Sequence, residues 1–576
     1  MWITNSRQYR EETSRKISWG HWFALFNILW AIAIGSRYAF LIDWPDTLFG
    51  KLYFFISLFG HFSFVIFAFY LLVIFPLSFV IKNHRTFRGL TVIFSTLGLT
   101  LLIIDAEAFS RFNLHLSTVV WNLLVNPENG ELSRHWQIFF APMPFILLVQ
   151  MLFSRWSWEK LRSLERQKWL KGVGIFFTCS FIATHLIYAW ADAFIYRPIT
   201  MQKSNFPLSY PMTARTFLEK HGFINKAEYS QVIEQQGRAD APKINYPKAP
   251  LHYQTAQRPN IVFITISGLR HDAINEKNMP TLSALSQQST QFIHHYSSGN
   301  SNNAGLTGLF YGLSANYTDS LLNHKTPSVF IEKLAEEGYA FGVFSSNKRH
   351  NSLFHQALFS GINQSKSNAT NQSETQALVN WLSKQQRPFF AYLGLAIRPN
   401  LSQPEYALEL AEIDRLLTLV FKDFPFENTL LVMTAEHGYS FQALTEKQQI
   451  NNFAPDEIQV PMLVHWQGLA KGKVDKLTSH VDLLPAVMKH VFNIQNPISD
   501  YAQGRDLFDL QQHPDWILVS NYRWNVIVQA DGSQYHIDKN GNYQKYDRTY
   551  QKESSKRPPL GLFLEVFNQE RSFTEK

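Results

Sequence analysis

Five apolar runs in the first 192 residues, each long enough to cross roughly 30 Å of hydrocarbon as a helix, constrain this chain more than any other feature. They lie at Trp19 to Ile42, Leu52 to Ile81, Gly89 to Ala108, Trp136 to Phe153 and Val173 to Trp190. The first is not a cleavable signal, because no small-residue cleavage site follows it before the next run. Cations gather in alternate loops. Arg7, Arg10, Arg15 and Lys16 precede the first run, Lys82, Arg85 and Arg88 follow the second, and Arg155, Lys160, Arg162, Arg166, Lys168 and Lys171 follow the fourth. The other loops carry Asp43, Asp46, Glu107, Glu128 and Glu131, so the N-terminus is expected in the cytoplasm and everything after Trp190 outside. These loops account for the formal charge of +8, which sets nucleic acid aside as a partner. The single cysteine, Cys179, lies inside an apolar run, which excludes a disulfide framework, a thiolate metal cage or a cysteine nucleophile in the second half.

Charges near the ends of such helices pair or line a polar cavity, and Arg37 with Asp105 is the pair expected here, each snorkelling alone being the alternative. His61 and His185 read as packing histidines. The apolar stretch from Arg111 to Trp136 reads as an element lying flat on the membrane. Between Trp190 and Gly222 the composition changes to aromatics mixed with Arg197, Lys203, Arg215 and Lys220. Two readings stay open for this junction: a linker whose long side chains snorkel, or a site for an anionic lipid. Pro211 suits the first turn of a short helix over Met212 to His221, where Thr213 and Phe217 share a face and Arg215 and Lys220 reach toward phosphate. The chain thus divides into a transmembrane part, 1–192, an interfacial linker, 193–258, and a globular part, 259–576.

From Asn260 short β-branched runs alternate with helical stretches, predicting an α/β domain with a mostly parallel sheet. The strands are expected at Ile261 to Ile266, Ala340 to Phe344, Phe389 to Leu395, Thr429 to Met433 and Pro461 to Trp466, with antiparallel hairpins over Trp516 to Tyr546. Chemistry collects at the carboxyl ends of such strands. There the chain places Ser267, Gly268, Leu269, Arg270 and Asp272, then the small-residue helix start around Ser301, then Glu436 and His437, and finally Pro461, His465, His480 and Asp482.

In this order the segments resemble the sulfatase and alkaline phosphatase superfamily, with its lipoteichoic acid synthases and phosphoethanolamine transferases. The resemblance implies a metal held by an acid after the first strand and by an Asp-His pair later, with a hydroxyl or modified cysteine nucleophile at a helix start. Carried across, the first acid is Ser267, the nucleophile Ser301, and the pair Glu436 and His437. Ser267 gives a neutral oxygen where a dication needs an anionic one, so no cofactor is expected, and a divalent metal belongs only to the alternative in which the domain is an active phosphatase. A closer resemblance covers the whole chain. Ser18 to Asn27, Ser36 with Arg37, Tyr196 to Met201 and Pro207 to Gly222 are similar to the YejM, or PbgA, inner-membrane proteins of Gram-negative bacteria. That family implies a degenerate enzyme that senses lipopolysaccharide at the periplasmic face and contacts LapB, thereby governing FtsH proteolysis of the deacetylase that commits flux to lipid A. Its lipid A contacts map onto Thr213, Arg215 and Phe217. Arg197, Thr216 and Lys220 complete the candidate lipid site, with Thr216 standing where a second arginine is expected. The implied architecture is a five-helix membrane domain with a periplasmic sulfatase-like domain. The rival functions are a metal-dependent phosphatase or headgroup transferase acting through Ser301, and a carrier of cardiolipin or lipid A.

Overall fold

In a computed structural model the chain separates into two compact units, residues 1–229 and 230–576, each described by itself. The structure describes residues 2–42, 44–112, 115–117, 120–121, 140–223, 237–238, 241–254, 258–346, 353–362, 369–442, 444–511, 514–538, 542–553 and 559–575. Most of the stretch expected to lie flat, Arg111 to Trp136, falls outside them.

The first unit is helical. Helix α1 (Trp2–Gly35) runs into a tight turn at Ser36–Phe40. Helix α2 (Leu48–Phe69) passes through a widened π turn at Tyr70–Ile74 into α3 (Phe75–Val80), and α4 (His84–Phe112), α5 (Met143–Glu159) and α6 (Trp169–Ala193) follow. Thr47 starts α2 by accepting the Gly50 amide with its hydroxyl. The π turn immediately precedes Pro76, whose missing N–H already costs the helix a bond. Tyr9–Phe40, Leu48–Val80, His84–Ser110 and Trp169–Ala193 are long and apolar enough to cross a membrane. Helix α5 covers the remaining apolar run from Met143 on, while 136–139 lie outside the described residues, so the unit holds four to five such helices.

Helices α2 and α6 touch backbone to backbone. A Cβ built on Gly60 would sit 2.7 Å from the Ser180 carbonyl oxygen, closer than real side chains approach, so only glycine allows this crossing. One apolar cluster gathers Trp19, Phe23, Tyr70 and Phe87 at the far end. A second gathers Tyr38, Phe54, Phe62, Phe109 and Phe206 at the end from which the chain leaves α6.

The second unit is an α/β domain. Its main sheet has strands β1 (Asn260–Ser267), β2 (Thr290–Tyr296), β3 (Ala340–Ser345), β4 (Phe389–Ala396), β5 (Thr429–Thr434), β6 (Met462–His465) and β7 (Gly472–Ser479), in the order β3-β4-β1-β5-β6-β2-β7. Pairing is parallel except along β6, which opposes both neighbours. Strand β1 is central and buried on both faces: Ile261 and Phe263 enter one core, Val262, Ile264 and Ile266 the other, which is why it reads as an unbroken apolar run. A second sheet of β8 (Trp516–Ser520), β9 (Trp524–Gln529), β10 (Gln534–Asp538) and β11 (Tyr543–Tyr546) is an antiparallel meander. Strands β2 and β7 carry no apolar run of their own and were not expected from the sequence.

Candidate functional site

One candidate site lies in each unit. The first is the junction beyond α6, where the chain folds back onto the helix ends instead of leaving them. Tyr196 reaches Thr47 at 3.2 Å, and Gln202 Nε2 donates to the carbonyls of Gly50 and Pro198 at 2.8 Å each. Phe206 then buries itself among Tyr38, Phe54 and Phe62, with ring centroids 5.3–5.8 Å apart. Three imidazoles hold the backbone on either side of it. His115 Nε2 lies 2.9 Å from the Ser204 carbonyl, His61 Nε2 lies 2.8 Å from that of Pro207, and the Met212 amide donates to His185 Nδ1 at 3.0 Å. His61 and His185 pack on phenylalanine rings as expected, with their hydrogen bonds satisfied by the junction backbone.

Behind them Asp105 is buried and takes the Tyr38 hydroxyl, His115 Nδ1 at 2.8 Å and the Leu116 amide at 2.5 Å. The expected Arg37–Asp105 pair does not form. Arg37 Nη2 instead meets Glu107 at 2.6 Å. The physical reason lies in the helix: two residues turn the side chain by about 200°, so the inward position falls to Asp105 and the outward one to Glu107.

The junction helix also differs from expectation. Helix α7 spans Arg215–Lys220, is capped by no side chain, and leaves Pro211 and Thr213 in the irregular chain ahead of it. The bond from the Met212 amide to His185 keeps that stretch out of the helix. At six residues, α7 is too short for its N-terminus to act as an anion site, so any phosphate contact falls to side chains. Arg215 sits 3.7 Å from Glu219, Phe217 packs on His221 with centroids 4.1 Å apart, and Thr213 and Lys220 are exposed. The Thr216 side chain lies outside the described residues, and Arg197 belongs to a separate turn, Arg197–Thr200, directly after α6. The same stretch of chain carries exposed apolar and aromatic side chains: Leu208 at 76%, Tyr210 at 81%, Phe217 at 59% and Phe223 at 72% exposure.

The second place is the carboxyl edge of β1, β4 and β5. Glu436 is buried, and its carboxylate is enclosed by hydroxyls: Thr265 at 2.9 Å and Tyr392 at 3.1 Å on Oε1, Ser267 at 3.0 Å on Oε2. Thr265 and Tyr392 meet each other at 2.6 Å, and Ser267 lies 2.6 Å from Asn302 Oδ1. Burial, and then the Glu436 charge beside it, hold the Tyr392 hydroxyl well above its ordinary range, so it remains a donor. Ser301 is exposed and caps the helix Asn302–Tyr311 through the Ala304 amide. That helix packs directly on Glu436: a Cβ on Gly305 would lie 2.3 Å from the Glu436 carbonyl oxygen. His437 faces the Gly438 carbonyl at 2.8 Å and Glu457 at 3.4 Å. Burial lowers its pKa, but Glu457, Glu436 and that carbonyl together raise it above the ordinary histidine value.

This donor set does not fit a hydrolase dication. The Glu436 oxygens are committed to hydroxyls, Ser267 brings no charge, and among the described residues no group of three or more His, Cys, Asp or Glu side chains converges. His480 turns to Thr434 at 3.2 Å and His465 to the Gln288 carbonyl at 3.2 Å, so neither completes a ligand set among the described residues. Thr265 and Asn302 lie in the strand-end segments expected to carry chemistry, whereas Tyr392 and Glu457 were not anticipated. The signal for Tyr392, one hydroxyl inside an apolar strand, is present in Phe389–Ala396.

Residues 6–253 match a family described as a domain of unknown function, DUF3413, and residues 400–494 match the sulfatase family. A Haemophilus influenzae protein described as uncharacterized is 61% identical over 99% of this chain and 98% of its own length. The inner membrane protein YejM of Salmonella typhi is 39% identical, with 99% of both chains covered, and that of Salmonella typhimurium matches equally. Among solved structures, the lipoteichoic acid synthase LtaP from Listeria monocytogenes is 12% identical at a TM-score of 0.42, covering 59% of this chain and 95% of that one. A Vibrio parahaemolyticus protein of the alkaline phosphatase superfamily is 13% identical at 0.43, covering 61% and 98%.

Proposed function

The chain belongs to the YejM family of inner-membrane proteins, and on that premise we propose that it is a regulatory sensor of lipopolysaccharide, reading lipid A in the periplasmic leaflet through the junction after α6. The observation that carries this reading is the juxtaposition at 208–223. Exposed Leu208, Tyr210, Phe217 and Phe223 share with Arg215 and Lys220 one short segment fastened to the ends of apolar helices. Apolar and aromatic side chains mixed with cations suit the level of a bilayer where acyl chains give way to phosphorylated headgroups. Arginine matches phosphate oxygens with paired donors, and the neighbouring aromatic contributes buried area to the sugar or chain. Cardiolipin, also a bisphosphate lipid, presents related chemistry and is the second ligand to test.

Occupancy regulates synthesis by shifting the helices between two arrangements that a LapB-like membrane partner distinguishes, and through it FtsH control of the committed deacetylase. Such coupling needs lipid to bind one arrangement better than the other. The strand-end cluster supports a regulatory over a hydrolytic role, since its buried Glu436 carboxylate serves as a structural acceptor. The test is Arg215→Ala. Lipid A recovered with the purified protein falls several-fold and cellular lipopolysaccharide levels lose their regulation; unchanged recovery and unchanged levels refute the reading.

A further inference from the structure

Resting on the lipid-sensor reading, we infer that His61, His115 and His185 are positioning residues for the anion-binding segment: three imidazoles from three parts of the helical unit that fasten the backbone of 204–212 and so fix where Arg215 stands. Three observations carry this. First, the contacts are specific in donor and acceptor. A carbonyl faces His61 Nε2, so that nitrogen carries a proton; an amide N–H faces His185 Nδ1, so that nitrogen is bare. His115 has a carboxylate oxygen at one nitrogen and a carbonyl at the other, which requires a proton in the Asp105–His115 contact as well as one on Nε2. Packing alone needs none of these settings.

Second, the holders come from separate elements, α2, α6 and the residues after α4, and converge on one short stretch around the buried ring of Phe206. Third, that stretch is the chain that leads to α7, so its fastening limits the positions Arg215 can occupy. A loose tether spreads a cation over many positions and adds an ordering cost to every binding event.

The test uses the full-length protein in mild detergent, titrated with purified lipid A, alongside hydrogen exchange at the Met212 amide. His185→Phe keeps the ring shape and removes the acceptor; His185→Asn keeps an acceptor near Nδ1. His61→Phe and His61→Gln form the matching pair for a donor. One lost net hydrogen bond corresponds to about a fivefold change, so both Phe variants bind lipid A roughly five- to tenfold more weakly, while Asn and Gln restore binding to within about twofold. Exchange at Met212 accelerates in His185→Phe and not in His185→Asn. Equal binding in all four variants overturns the inference, as does faster exchange without weaker binding. If His185→Phe does not fold, Met212→Pro removes the donor from the other side and carries the same prediction for lipid A binding. Arg215→Ala in the same assay separates the two claims. Normal binding there defeats the lipid site itself, whereas weakened binding there with unaffected histidine variants defeats the positioning role alone.

Discussion

Two polar centres of this chain handle a buried acid in opposite ways. Around Glu436, three hydroxyls close over the carboxylate and spend it inward on the ends of β1 and β4. At the helix ends, Asp105 takes a tyrosine hydroxyl and a backbone amide, yet it also turns His115 outward to hold Ser204. The first arrangement completes a core and the second reaches across to a segment that carries exposed cations. A buried acid whose partners all belong to the fold supports that fold, whereas one that hands its hydrogen bonding on to an irregular segment supports a position.

Acid sharpens this contrast most strongly. His480 and His536 in the globular unit are buried as neutral rings, and burial holds both down at about 3. A histidine lowered on folding stabilises fully above its unfolded value near 6.5, and that contribution is lost as pH falls from there toward 3. The loss is on the order of 4 kcal/mol for each ring by pH 3, so thermal melting of the intact chain should show the globular unit failing steeply below pH 6; a flat profile to pH 4 contradicts the burial argument. Next comes Phe206→Ala, which empties the aromatic anchor of the junction at about 3–5 kcal/mol. Melting in detergent, with faster hydrogen exchange confined to the helical unit, is the expected result.

Glu436→Ala follows at about 2–4 kcal/mol, because it removes the buried acceptor that the hydroxyls of Thr265, Ser267 and Tyr392 share. If Glu436 is instead a metal ligand held under strain, the variant melts no lower than the parent in the presence of chelator. Tyr392→Phe removes one of those three donors and costs about 1 kcal/mol, read from the denaturant midpoint. Smallest of all, a chelator alone shifts the melting of the globular unit by less than about 1 °C, since a site without a ligand set gains no stability from a dication. A large downward shift breaks the comparison, because Glu436 would then serve a ligand as Asp105 serves the junction.

The fold was largely legible where burial is complete. Val262, Ile264 and Ile266 face one core and Ile261 and Phe263 the other, so β1 announces itself as a continuous run, as do β4 and β5. Strand β7 was hidden because its first half exposes Lys473 and Asp475 and packs only Val474 on the core, and β2 because two histidines interrupt its apolar pattern. The polar contacts were less legible. That Arg37 pairs with an acid on α4 follows from depth alone, but whether it meets Asp105 or Glu107 depends on helix rotation, which hydropathy does not specify. The grip of His61, His115 and His185 on Ser204, Pro207 and Met212 links residues as far as 146 positions apart, through backbone groups that have no side-chain signature at all.

The contact at Gly60 leaves no clearance between α2 and α6, so these helices travel together as one beam, and His61 and His185 are both mounted on it. Further along α2 the π turn at Tyr70–Ile74 and Pro76 interrupt the regular ladder, which makes the helix softest there. A stiff arm with its soft point near the far end behaves as a lever: a small push on the strapped segment becomes a swing of α3, at the opposite end of the bundle from the junction.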